Sequence, residues 1–167
     1  MDTIADHFAD RAVRSVFIYT REAHPGELYR HHTSMAGKRE IAKALRSVVG
    51  LKRQVLLDAL DGAAHQAYGL LPNMTWIFGH GGLILYKSAW TDPDDVAESL
   101  TRALDGVERR VKGDNLPFYS ERLSWRVRDD ETFRALLERC GPQAVSDFYD
   151  KNRHRHAMDK NHAGGPV

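Results

Sequence analysis

The first strong apolar run, Val16-Phe17-Ile18-Tyr19, does not alternate and stops abruptly in Thr20-Arg21-Glu22-Ala23-His24-Pro25-Gly26-Glu27. A continuous β-branched and aromatic run predicts a strand over 15–20 buried on both faces, whereas Arg21, Glu22 and His24 are costly to bury. Chemistry is therefore expected at the C-terminal end of this strand. Ahead of it, Ile4, Phe8 and Ala12 recur at helical spacing and predict a helix over 2–14.

Past the loop 21–33, where Pro25-Gly26 turns the chain, the period becomes helical again. Thr33 or Ser34 caps a helix with Met35, Ile41, Leu45, Val48 and Val49 on its apolar stripe, and Gly50 stops it. Lys38, Arg39, Lys43 and Arg46 fall on the polar side and are expected to be solvated. Residues 54–57 (QVLL) predict a short strand, and 58–69 a turn with a short helix closed by glycine. Runs 74–78 (MTWIF) and 83–87 (LILYK), joined across Gly79-His80-Gly81-Gly82, predict an antiparallel hairpin.

Thr91-Asp92-Pro93-Asp94-Asp95 starts a helix that runs to about Val111 and turns Val96, Leu100, Ala103, Leu104 and Val107 inward. Beyond a loop at 112–117, Leu123 to Val127 predict a short strand, 129–139 a helix stopped by Gly141-Pro142, and 143–158 another, with 161–167 frayed. The expected organisation is a core over 1–111 and a mainly helical extension over 112–167 packed on it.

A chain of 167 residues with 42% hydrophobic content suits one globular domain. The net charge is +1, so electrostatics gives no reason to expect nucleic acid or an anionic membrane as partner. No apolar run approaches the ~20 residues that cross a bilayer, and the first residues carry no signal-peptide or lipidation motif, which makes a cytoplasmic location the expectation. One cysteine, Cys140, excludes an internal disulfide, a CxxC pair and a Cys-rich zinc site. Its place at a helix end before Gly141-Pro142 suggests structural packing, because the negative end of a helix raises a thiol pKa.

The segments Phe17-Ile18-Tyr19-Thr20-Arg21-Glu22-Ala23-His24-Pro25-Gly26-Glu27, Leu56-Leu57-Asp58-Ala59-Leu60-Asp61-Gly62, Ala67-Tyr68-Gly69-Leu70-Leu71-Pro72-Asn73-Met74 and Ala89-Trp90-Thr91 resemble the bacterial redoxins similar to iodothyronine deiodinases. The resemblance covers about residues 5 to 105. It implies an α/β, thioredoxin-like fold truncated at its N-terminus. Members begin with a strand that ends in the catalytic cysteine or selenocysteine, and the given sequence contains neither.

By that analogy the missing strand would lie centrally, between strands 15–20 and 74–78. Each buried backbone group left unpaired there costs roughly 1–3 kcal/mol. Three arrangements could fill the place: direct closure of the two half-sheets, insertion of a C-terminal strand such as 123–127, or backbone from a partner subunit. A homodimer is the expectation. A further option is an upstream segment carrying the strand and its cysteine, which the coding DNA before Met1 would reveal.

The resemblance also gathers the candidate site. Strands 15–20 and 54–57 would run parallel and deliver Arg21, Glu22, His24 and Asp58 to the sheet edge where α/β proteins bind ligands, with Pro72-Asn73 and Trp90-Thr91 arriving there from the hairpin. His24 is the candidate general acid or base, since its ordinary pKa of about 6.5 suits proton transfer near neutrality. Glu22 could orient it and Arg21 clamp an anionic group, or Arg21, Glu22 and Asp58 could simply pair to shape the loop. Asp58, Pro72, Asn73, Met74, Trp90 and Thr91 complete the substrate side, with core packing the favoured role for Met74 and Trp90. Pro72 matches the cis-proline of thioredoxin folds.

No cofactor is predicted. His24, His31 and His32 on one loop are an alternative metal site, and His154, His156 and His162 a weaker one, although neither has a tight ligand spacing. Two functions remain open. One is a cysteine-independent enzyme on a small molecule, using acid/base chemistry at His24 and Glu22, in a tailoring or isomerising role in secondary metabolism. The other is a non-catalytic ligand-binding or assembly module. Peroxidase or reductive dehalogenase chemistry is not expected without the nucleophilic thiolate or selenolate.

Overall fold

The computed structural model describes residues 1–115, 120–122 and 129–150. Within these the chain is mixed α/β, with two small sheets and six α-helices. Residues 123–127, expected as a strand, lie outside the described residues, as do 151–167, which hold the expected end of the last helix, the tail and His154, His156 and His162.

Helix α1 spans Asp2–His7, shorter than the predicted 2–14. Ile4 and Phe8 anchor in the core, a 3-10 turn follows at Ala9–Arg11, and Ala12 takes a left-handed conformation at φ 57° that ends helical propagation. Ala12 consequently faces solvent instead of extending the stripe. Strand β1 is Val16–Tyr19, helix α2 Met35–Ser47 and strand β2 Gln54–Leu57. Ser34 caps α2 by accepting the Gly37 N–H at 3.1 Å. β1 and β2 pair in parallel, with Val16 opposite Gln54 and Tyr19 opposite Leu57, and α2 is the connection between them.

Helix α3 is the single turn Ala63–Ala67, after which β3 (Thr75–Phe78) and β4 (Ile84–Ser88) form the expected hairpin. A bulge between Ile77 and Phe78 shifts its register. Helix α4 runs Pro93–Val111, capped where Asp92 accepts the Asp95 N–H at 3.0 Å. Strand β5, Ser120–Arg122, pairs in parallel with β4. Helix α5 is Asp130–Cys140, and α6 begins at 142 and continues through 150.

The strands divide into β1-β2 and β3-β4-β5, without pairing between the two sets among the described residues. The C-terminal strand β5 extends the outer side of the hairpin and does not enter between β1 and β3. Phe8, Val96 and Leu100 form the centre of the core, joined by Met1, Ile4, Val13, Ile77 and Leu104. Helices α1 and α4 thereby pack together over the Ile77 face of β3. Val16, Ile18 and Leu56, which share one face of the β1-β2 sheet, stay exposed at 40%, 37% and 42%. A parallel sheet ordinarily has both faces covered, so this open apolar face is unusual.

Candidate functional site

Parallel pairing brings the C-terminal ends of β1 and β2 to one place, and the Asp58 N–H continues the ladder by donating to the Tyr19 carbonyl at 3.1 Å. Between these ends lies Lys38, only 1% exposed. Its ammonium donates to the Thr20 carbonyl and to the Ala59 carbonyl at 3.5 Å, and lies 5.8 Å from the Tyr19 ring centroid. Lys38 is thus not on the solvated basic side of α2. Its spacing from Met35, Ile41, Ala42 and Leu45 places it on the apolar stripe, a signal the sequence already contained. Burial holds its pKa below the ordinary lysine value, with the Asp58 carboxylate opposing that shift.

Asp58 is 4% exposed, and its carboxylate accepts the N–H groups of Ala64 and His65, each at 2.9 Å. Burial opposes its ionisation, yet the N–H groups of His65, Ala64 and Ala59, with the Lys38 charge, hold its pKa below the usual carboxylate value. Asp58 therefore fixes α3 onto the end of β2. Asp58 and Lys38 serve each other electrostatically across the same junction.

Tyr19 is buried, and its hydroxyl donates to the Glu22 carboxylate. Burial first, and Glu22 second, push the phenol pKa far up, so Tyr19 stays protonated. Glu22 is thereby held by Tyr19, while its charge acts on His24, His32 and Cys140. The His24 ring meets Phe133 of α5 and Phe148 of α6 edge to face, at centroid distances of 5.3 and 5.4 Å. Burial lowers the His24 pKa and Glu22 raises it, with burial dominant, so the imidazole is neutral at pH 7.

His32 packs edge to face on Tyr19 at 5.2 Å, with both ring nitrogens buried and without a hydrogen-bond partner. Burial is the main cause of its lowered pKa, against Glu22 and in concert with Lys38 and His31. Arg21 is exposed. Among the described residues no three His, Cys, Asp or Glu side chains gather so as to hold a metal ion. His24 and His32 have different ring neighbours.

The hairpin side forms a second group. Asn73 accepts the Thr91 N–H at 2.7 Å and the Thr91 hydroxyl at 3.2 Å, and Thr91 in turn takes the Thr75 hydroxyl at 2.7 Å. Trp90 is 48% exposed, and Met74 is half-buried with its sulfur beside Gly69. His65 links the groups: its backbone binds Asp58 and its Nε2, opposite a carbonyl, donates to Leu71 at 3.0 Å. Pro72 does not carry the expected cis bond; no cis peptide occurs among the described residues. Left-handed Gly69 and Leu70, at φ 105° and 62°, reverse the backbone here, and the Leu70 N–H closes the turn on His65 at 2.9 Å.

The C-terminal helices also reach this site. Gly141-Pro142 offers α6 no side-chain cap, and Glu27 supplies one: its carboxylate accepts the Gln143 N–H at 3.0 and 3.1 Å. The Leu28 N–H donates to the Cys140 carbonyl at 3.1 Å. A Cβ on Gly26 would fall inside the Cys140 carbonyl oxygen, and one on Gly141 inside the Glu27 carboxylate. Cys140, remote in sequence, is thus a spatial neighbour of the loop after β1, and burial together with Glu22 raises its thiol pKa. A cavity of about 560 Å³ lies between Arg134, Glu138, Val145 and Tyr149 of the two helices, and His24 is not among its lining residues. Comparison with protein families, characterised proteins and solved structures finds no match to this chain.

Two outcomes follow from these environments. Lys38→Met should remove the ammonium that the Thr20 and Ala59 carbonyls accept from and cost about 1 kcal/mol for each part-buried bond lost, measured as a lower denaturation midpoint. The histidines concern pH: because burial lowers both folded-state pKa values below the ordinary 6.5, the unfolded chain binds more protons in that range. Their contribution to stability is complete above pH 6.5 and is lost as pH falls through the folded values. Denaturant titrations should show this acid-side loss reduced in His24→Phe and His32→Phe, and an unchanged pH profile would refute the assignment.

Proposed function

We propose that this protein is a cysteine-independent enzyme that moves a proton on a small organic molecule, on a deiodinase-like version of the thioredoxin fold. The observation that supports the reading is the part-buried His24 imidazole under the influence of the Glu22 carboxylate, which the Tyr19 hydroxyl holds in place, with burial favouring the neutral ring. In this mechanism neutral His24 takes a proton from the substrate. The Glu22 charge then favours the imidazolium until the proton is returned to another substrate atom, giving an isomerisation. Arg21 holds an anionic substrate group, while Asp58, Pro72, Asn73, Met74, Trp90 and Thr91 form the far wall. Ligands of parallel sheets bind at this end of the strands.

A second reading, a ligand-binding or assembly module, is favoured by the packing of His24 against a pair of phenyl rings. Small organic acids that raise the melting temperature would first identify ligands, and deuterium uptake into them from heavy water would report turnover. General acid–base catalysis supplies about 10²–10⁴-fold, so His24→Ala should slow uptake by at least that lower factor while the ligand still binds. Uptake undiminished in His24→Ala would sink the catalytic reading, and ligands bound without uptake in the parent would favour the module.

The assembly we propose is a homodimer. Supporting it are β1, which among the described residues has a strand neighbour on one edge only, and the exposed Val16, Ile18 and Leu56 beside it. Light scattering at micromolar concentration should give twice the chain mass, and Ile18→Lys should give the chain mass. A parent protein that is monomeric throughout that range would rule the dimer out.

A further inference from the structure

We propose that the α5–α6 hairpin is a lid over His24, latched to the loop after β1 and lifted to admit ligand. The inference rests on His24 being the working imidazole of the site. Closed, the hairpin presents Phe133 from α5 and Phe148 from α6 to the imidazole, and the two phenyl rings also meet each other at 4.8 Å. The two phenyls lie closer to each other than to the imidazole, so the hairpin covers one side of the ring, and lifting it would uncover that side. Glu22 is the charged group that acts on that ring.

The latch lies at the turn between the two helices. It consists of the Leu28 N–H on the Cys140 carbonyl, the Glu27 carboxylate on the Gln143 N–H, and the close approach of Gly26 to Cys140. Leu28, Glu27 and Gln143 are exposed, so water can replace these bonds when the hairpin lifts, without orphaning a buried group. The buried apolar side chains of the hairpin, Leu137 and Ala144, oppose opening and keep the closed state dominant. A few exposed hydrogen bonds, set against a modest apolar contact, are the features of an element that opens below the global unfolding free energy.

The opening is measurable by amide hydrogen exchange followed by NMR on the whole chain. Leu28 and Gln143 donate in the latch, whereas Asp58 donates to Tyr19 in the β1-β2 ladder and reports global unfolding. The two latch amides should share one protection factor, lower than that of Asp58 by about tenfold or more. Gly26→Ala puts a methyl group into the Cys140 carbonyl; it should deprotect both latch amides and remove the ring-current shift of the His24 protons, leaving Asp58 protected.

Latch amides that exchange only with Asp58, or His24 resonances unmoved in Gly26→Ala, would overturn the lid. If Gly26→Ala loses its circular-dichroism signal, Glu27→Ala, which removes the acceptor of the Gln143 N–H, carries the same test: it should deprotect Gln143 and Leu28 together, and unchanged protection overturns the proposal. None of these readouts uses the reaction. Failure of His24→Ala to slow deuterium uptake would remove the catalytic reading while leaving the measured opening intact, and the converse holds as well.

Discussion

A buried ammonium joins the two strand ends around which everything else is arranged. Lys38 leaves α2, crosses to the Thr20 and Ala59 carbonyls, and packs on Tyr19. Those partners follow β1 and β2, so one side chain ties the crossover helix to both strands it connects. An ammonium buried to this extent is tolerated only when its protons are met by acceptors and its charge by an opposite one. Asp58 provides the charge, and through Ala64 and His65 it carries the constraint onward to α3 and the start of the hairpin. Tyr19, Glu22 and the histidines are positioned by what this junction holds still.

Much of the element pattern was legible because its signals are local. Ser34, one of the two caps expected for its helix, and Asp92, within the expected helix start, are the capping residues, and the hairpin turns at Gly79 to Gly82. Helix 2–14 failed at Ala12, because a left-handed residue in an otherwise good helical sequence is imposed by anchoring Phe8 on one side and β1 on the other. Glu22, His24 and Asp58 could be singled out as residues too polar for the ends of buried strands. Their partners could not be. Phe133, Phe148 and Cys140 arrive from helices far along the chain, and nothing local in α5 or α6 encodes the loop they meet. His32 was visible only as one histidine among several, since its isolation from hydrogen-bond partners is a property of packing.

The division into two sheets explains why the apolar centre is small. Phe8, Val96 and Leu100 bury themselves between α1, α4 and β3, while the non-alternating run of β1 has its Tyr19 face covered and its Ile18 face open. The composition of β1 suits the interior of a wider parallel sheet. In the described residues it stands at an edge, and the same is true of β3. The tension between strand composition and strand position is the physical content of the expectation that a central neighbour is missing.

Gly26 and Gly141 are held small for different reasons. The Cys140 carbonyl occupies the place of a Cβ on Gly26, whereas Gly141 is fixed twice over, by the Glu27 carboxylate at its Cβ position and by its own φ of 117°, which L side chains rarely adopt. A side chain acquired at position 26 would push the Cys140 carbonyl away, yet position 141 would still favour glycine for its backbone. Position 26 is therefore free to drift with the fate of the hairpin, and position 141 is not. A variant that had shed its last two helices would leave position 26 open to any residue the local turn accepts.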